Sequence, residues 1–522
     1  MPFRYFPKTP ALCAAILFTV TAWCGAQSIA FPWSGHGHDA QHSGISSVAA
    51  QPMNRIRWHA QVDLNAQYSG TELLIHYGSP LSTRANTIIF PVKTGSYDGF
   101  EVQARNAADG SVIWTQPSDY TLPAHDWVPS FGPVITPKNR VYFAGSGGTV
   151  YYRDTPDVAS GATGQIAFYG LANYQADPDT KAAFDANVKI NTPIATDRYG
   201  NIFFGFVVSG ATTPALQGGI ARIAPDGTCS VVSASAAAQG DATVSQVVHN
   251  CTPALSNDHR TLYAAVSTGG AVSGIGWLVS LDSRTLAPIA RVRLKDPHST
   301  TQGIPNDAYL PDDGSATPTV GPDGDVYFGV LENPLGSNHL RGWLLHFDST
   351  LSQTKTPGVF GWDDTASVVP ASAVPAPNYT GSSSYLLLTK YNNYVEGGGD
   401  GVNKIAVLDP NATQSDAVTG ATVMKEVITQ AGPTPDTAKI SASTPNAVRE
   451  WCVNTVAIDP AGKCAIVNSE DGNVYRWNFA TNTLVQSLTL GSGIGEAYTP
   501  TMLGVDGTVY AISNAVLFAI GQ

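Results

Sequence analysis

Short stretches that alternate small, apolar and turn-forming residues recur along the whole chain. The unit is a small residue, Pro and an apolar residue one place further on, then a turn, then an apolar and aromatic run. Its copies are "GSPLSTRANTIIFPV" (78–92), "FGPVITPKNRVYFAG" (131–145), "NTPIATDRYGNIFFG" (191–205), "CTPALSNDHRTLYAA" (251–265), "ATPTVGPDGDVYFGV" (316–330) and "YTPTMLGVDGTVYAI" (498–512). Degenerate copies lie at 369–388 and 453–467, which brings the number to eight. Runs this short, bounded by Gly, Pro, Asn and Asp, predict strands rather than helices. Two further candidate strands follow each copy, for example "GFEVQARNA" and "VIWTQ" after the first. Each unit therefore reads as a four-stranded antiparallel meander.

Meanders repeated radially make a β-propeller, and eight of them predict an all-β, eight-bladed ring. The eighth unit stops one strand short at Gln522, and "NRIRWHAQV" (54–62) is expected to supply that strand. Trp58 would take the place there that Trp114 takes in "VIWTQ". Pairing the first strand with the last blade closes the ring and removes an exposed edge that would invite aggregation. The segment "GLANYQADPDTKAAFDANVK" (170–189) reads as an insertion with a short helix. "TKYNNYVEGGGDGVNK" (389–404) reads as an exposed loop whose Tyr391 and Tyr394 suit a contact surface.

Composition narrows the function classes. Only 13% of residues are charged and the formal net charge is −12. Phosphate backbones need a Lys/Arg surface, so nucleic acid is excluded as a partner. Residues 1–30 read as a secretion signal: Arg4 and Lys8 precede the apolar "ALCAAILFTVTAWCGA" (11–26), with cleavage expected after Ala26 or Ala30. Lipidation at Cys24 is disfavoured by bulky Trp23 before it. The expected mature protein is one propeller domain, 31–522, monomeric, secreted or periplasmic, with no transmembrane segment. Its four cysteines are disulfide candidates in an oxidising compartment. Closeness in sequence favours Cys229–Cys251 and Cys452–Cys464 over the two other pairings.

Certain motifs carry a resemblance. "ARNAADGSVIW" (104–114) resembles the tryptophan-docking repeat of the quinoprotein alcohol dehydrogenase-like, or PQQ-like, β-propellers, with Ala104, Asn106, Asp109, Gly110 and Trp114 in place. The opening "WSGHGHDAQHSG" from Trp33 is similar to the segment that leads into the closing strand of such propellers. The resemblance implies that this stretch is a structural loop. A metal site at His36, His38, Asp39 and His42 is the other reading, although on a strand Asp39 would face away from His36 and His38.

The resemblance also implies two functional alternatives. Some members hold pyrroloquinoline quinone beside calcium over the channel and oxidise alcohols or sugars. Others are non-catalytic scaffolds that bind partners. The adjacent cysteine pair of many quinone enzymes is absent here, as is the S-x-D-x-G-x-T-W box of sialidases. The expectation is a binding or scaffold propeller for a protein or glycan, with a quinone- and calcium-dependent dehydrogenase as the alternative. In either case the first strand of each blade lines the channel, so residues just before each small-Pro step gather at one mouth. Counting back four positions gives His76, Lys189, His249 and Glu496; His125, Asp126 and Trp127, and Arg449, Glu450 and Trp451, come to comparable places. Such a mixed ring of charges and indoles suits a ligand site. Glu450 and Glu496 would form an acid–base pair if their carboxyl groups came within about ten ångströms.

Overall fold

The computed structural model of the protein describes residues 1–2, 32–70, 72–451, 453–493 and 499–522. Eight antiparallel sheets follow one another along the chain. Blade one consists of Leu81–Ser82, Thr87–Lys93, Asp98–Asn106 and Val112–Thr121, hydrogen-bonded in that order. Blades two to seven repeat the arrangement over 134–167, 188–233, 246–293, 319–359, 367–431 and 457–489, blades three and four with a fifth, short strand each, Ala195–Thr196 and Ala254–Leu255. In each, the first strand is the innermost and the last the outermost. Apolar residues fill both faces of the second strands: Thr87–Lys93 is buried throughout, as is Tyr385–Tyr391.

Blade eight is closed by the amino-terminal strand. Arg55–Gln61 pairs antiparallel with Val516–Gly521, from Arg55 opposite Gly521 to Gln61 opposite Val516. Trp58 and Trp114 then play the same part in successive blades. Trp58 Nε1 donates to Ala107 O at 2.9 Å and Trp114 Nε1 donates to Pro156 O at 2.7 Å, so each indole wedges into the next blade. Gly110, at φ +73°, lies against Trp58, and a Cβ there would come within 2.7 Å of its ring. The docking motif thus specifies a turn that a neighbouring indole covers.

Residues 33–44 cross one end of the channel and stitch the ring together. Carbonyls of this segment accept backbone N–H groups from the first strands of six blades. Ser82 bonds Trp33, Ile135 bonds Ser34, Leu255 bonds Ala40, Val320 bonds Gln41, Val368 bonds Ser43 and Ile458 bonds Gly44, at 2.7–3.0 Å. The polar side chains serve the same end: His42 Nδ1 lies 2.7 Å from Pro318 O, and His36 Nε2 3.2 Å from Thr365 Oγ1. Asp39 accepts from Gln41 N, Ser43 N and Ser43 Oγ, so its lone pairs are used within the loop. A Cβ on Gly44 would lie 2.6 Å from Val456 O, which leaves room only for glycine. The histidine-rich opening is a plug, and among the described residues no group of three or more His, Cys, Asp or Glu stands where it could hold a metal ion.

Two expectations need correction. Tyr391 ends a buried strand, with its hydroxyl donating to Glu426 at 2.9 Å, so 389–404 offers no exposed tyrosine pair. Among the described residues no disulfide joins Cys229, Cys251 or Cys464. Cys229 sits on the outermost strand of blade three, whereas Cys251 is buried at the inner edge of blade four. Three strand spacings, about 14 Å, separate the two edges of a blade, beyond the reach of a disulfide. Cys464 Sγ lies 3.7 Å from Asp459 Oδ2, and Cys452, its expected partner, lies outside the described residues. The 170–189 insertion does carry helix, Leu171–Tyr174 and Pro178–Asn187, the second capped by Asp177 accepting from Thr180 N.

Candidate functional site at the channel mouth

The end of the channel opposite the plug is built from the segments that lead into the first strands. His76, before blade one, is buried, and its Nδ1 lies 3.0 Å from Val128 O. Its Nε2 lies 3.1 Å from Asp313 O, before blade five, so the ring reaches across the axis. The loop 311–314 is held at other points as well: Asn250 Nδ2 donates to Gly314 O at 2.9 Å, and Trp127 N donates to Asp313 Oδ1 at 3.3 Å. Trp127 packs edge-on against His76 at 6.0 Å between ring centroids. Burial keeps His76 neutral, pulling it down to about 4, and lowers His249 as well.

Asp363 and Asp364, just before the first strand of blade six, and Lys390, on its second strand, form the second part of the mouth. Lys390 Nζ pairs with Asp363 Oδ2 at 2.8 Å, both side chains almost wholly buried. Lys390 N and Thr389 Oγ1 donate to Asp364 Oδ2 at 2.8 and 3.0 Å. The other Asp363 oxygen, Oδ1, is buried without a hydrogen-bond partner. Beyond Lys390 stand Glu450 and Glu470, linked through the Glu470 N–H to Glu450 O at 3.0 Å. Arg449 lies 4.0 Å from Glu470 and 3.9 Å from Asp436.

Carboxyl groups outnumber cations here, and their acidities show it. Burial, with Asp126 and Asp312 nearby, raises Asp313 to about 6. Burial and the neighbouring Asp363 raise Asp364 to about 7. Burial lifts Glu470 to about 7 and, with Glu470 beside it, lifts Glu450 well above the usual range. Crowded carboxyl groups that share low-dielectric surroundings hold protons that a cation would displace.

The structure brings together most of the residues the sequence singled out. His76, Trp127 and His249 line the mouth, His125 and Asp126 flank it, and Arg449 and Glu450 face it. Lys189 is drawn aside: its Nζ donates to Asp185 O and Thr121 Oγ1, and no mouth carboxylate meets it. Trp451 is fully buried against Tyr475 and belongs to the core, so it offers no stacking face. Glu496 lies outside the described residues, and its pairing with Glu450 with it. Sequence reasoning missed Asp312, Asp313, Asp363, Asp364, Lys390 and Glu470. The signal was present as two double-aspartate steps, "PDDGS" (311–315) and "WDDTAS" (362–367), each just before a first strand.

No protein-family model and no curated protein matches the sequence. Among solved structures, the quinohemoprotein alcohol dehydrogenase from Comamonas testosteroni aligns with a TM-score of 0.53 at 12% identity, covering 94% of this chain and 81% of that one. A quinohemoprotein alcohol dehydrogenase from Pseudomonas putida HK5 aligns with a TM-score of 0.51 at 13% identity, over 94% and 76%. The chain therefore has the eight-bladed quinoprotein alcohol dehydrogenase-like fold. Identity at this level speaks for the fold and leaves the chemistry to the site. Among the described residues no helix is long and apolar enough to cross a membrane.

Proposed function

We propose that the protein is an exported, non-catalytic propeller whose channel mouth binds a basic group presented by a partner protein. The observation that carries this reading is the crowd of carboxyl groups around a single buried lysine, with Asp363 Oδ1 buried and unpartnered. An ammonium or guanidinium entering the mouth would meet acceptors already fixed in place and would relieve their mutual repulsion. Trp127 and Tyr394 at the rim add aromatic surface suited to a cation. Export rests on the leader-like segment 1–30, most of which lies outside the described residues. The experiment is calorimetric titration of the full chain with a short Arg/Lys peptide at low salt. Glu450→Gln combined with Glu470→Gln is expected to weaken binding at least tenfold; unchanged affinity would refute the reading.

A second reading, a quinone-dependent dehydrogenase, draws on the fold likeness to the two quinohemoprotein enzymes. The residues present do not suit the quinone. Loop 311–314 occupies the mouth, its carbonyls facing His76 and Asn250. Adjacent cysteines are absent from the sequence. Dye reduction by the purified chain supplied with quinone, calcium and an alcohol is the test of this alternative, and none is expected.

A further inference from the structure

The opposite end of the propeller carries a separate feature. Over the plug, the first turns of blades one to four enclose a hollow of about 660 Å³, floored by Ser34, His38, Asp39 and Gln41. A second hollow, also about 660 Å³, continues outward between blades three and four and shares Asp197 and His259 with the first. Together they form a trench running from the axis to the rim.

Five arginines line this trench: Arg84, Arg198, Arg222, Arg260 and Arg284. In a chain of net charge −12, such a concentration stands out against the background. The aspartates beside them are committed to their own turns. Asp197 Oδ1 accepts from Tyr199 N and Asn201 N, Asp282 Oδ1 from Arg284 N and Thr285 N, and Asp226 Oδ1 from Thr228 N. Among the described residues, Arg260 is the one of the five with a carboxylate within 4 Å, Asp258 at 3.8 Å. Arg222 is only 9% exposed; its Nη2 donates to Asn201 Oδ1 at 2.7 Å, and its Nε is buried with no partner. His259 Nδ1 is likewise buried and unpartnered. The Arg222 Nε–H is thus a donor left over where acceptors are already used, and an anion would complete it.

We infer that this trench binds an acidic oligosaccharide whose carboxylates meet the arginines. The site is elongated, which suits a chain of sugar units better than a compact small molecule. Asn139 and Ser283 also line the trench, their donors turned to Asp157 and His259 O, so that what they offer a sugar hydroxyl is an acceptor oxygen. Tyr199 is 57% exposed; the Arg198 guanidinium lies over one face of its ring at 5.0 Å, so the other face is the one a sugar ring would meet. The walls are turns, so no free strand edge is offered to a peptide main chain. The inference stands independently of the reading of the mouth, which takes a cation at the other end.

The test uses the full chain and oligogalacturonate as the probe, titrated at low and moderate salt, with an uncharged galactose oligomer and an acidic hexapeptide alongside. The triple variant Arg84→Ala, Arg198→Ala, Arg284→Ala alters exposed side chains only, and its melting temperature reports the fold. The expected result is salt-sensitive uronate binding, no binding of the uncharged oligomer, and at least tenfold weaker binding by the folded variant. Absence of uronate binding, uronate binding unchanged in the variant, or a hexapeptide bound as tightly as the uronate would overturn the proposal.

Discussion

His76 and Asp313 meet across the channel axis, the imidazole Nε2 3.1 Å from the Asp313 carbonyl oxygen. One precedes blade one and the other blade five, on opposite sides of the ring. The other ring nitrogen faces Val128 O at 3.0 Å, and a neutral imidazole has only one N–H to share between two carbonyls. His76→Ala removes the strut over the mouth. Hydrogen exchange in 311–315 is expected to rise tenfold or more, with exchange in the plug, 33–44, unchanged. Equal protection in variant and parent would show that the loop is held by Asn250 and Trp127 without the histidine.

The acidities of the mouth set a pH dependence. Asp313, Asp364 and Glu470 have folded-state values raised to about 6, 7 and 7. For a carboxyl group raised on folding, the folded state holds the proton longer than the unfolded chain. Stability therefore falls as pH climbs from the ordinary carboxyl range to about 7, then levels off. Asp39, Asp241 and Asp307 are lowered to about 2, by hydrogen bonds and by charges such as His38 and Arg293, and their contribution disappears as pH falls through that value. Melting temperature is expected to peak near pH 4–5, and Glu470→Gln to flatten the decline between pH 5 and 7.

Ring closure depends on Trp58. Trp58→Ala removes a buried indole and the bond to Ala107 O, and is expected to cost about 3–5 kcal/mol in urea unfolding. Gly110→Ala attacks the same junction from the other side, by forcing a Cβ toward the indole at a positive φ. Both variants should loosen blade eight before the others. A loss below about 1 kcal/mol in Trp58→Ala would mean that the ring does not rely on this wedge.

Thiol titration checks the cysteines. The unfolded, unreduced chain is expected to release at least three reactive thiols, those of Cys229, Cys251 and Cys464. Reductant should leave the melting temperature unchanged.

The architecture was legible because turn chemistry and strand periodicity recur eight times, and each copy reinforces the others. Trp58 could be matched to Trp114 from their places in the unit alone, and both prove to be wedges between blades. The mouth was only partly legible. Counting four positions back from proline works where the small-Pro step is intact, as at His76 and His249. It fails in blade five, where that position is Gly314 and the charges sit just before it. It fails again in blade six, whose first strand, Ser367–Pro370, begins two residues ahead of the degenerate copy at 369–388. Asp363 and Asp364 thereby escaped notice, and Lys390, on the neighbouring strand, could be found only through the sheet. Lys189 shows the opposite error: the count was right, but the helix Pro178–Asn187 supplies a carbonyl that holds its ammonium away.

The central claim, that the mouth is a receptor for a cation, is tested most directly by counting protons. Titration of the basic peptide at pH 6.5 in buffers of different ionisation enthalpy gives the number exchanged on binding. A cation favours the ionised forms of Asp313, Asp364, Glu450 and Glu470, so net proton release is predicted, diminishing above pH 8. Binding with no proton exchange, or with net uptake, would contradict the account.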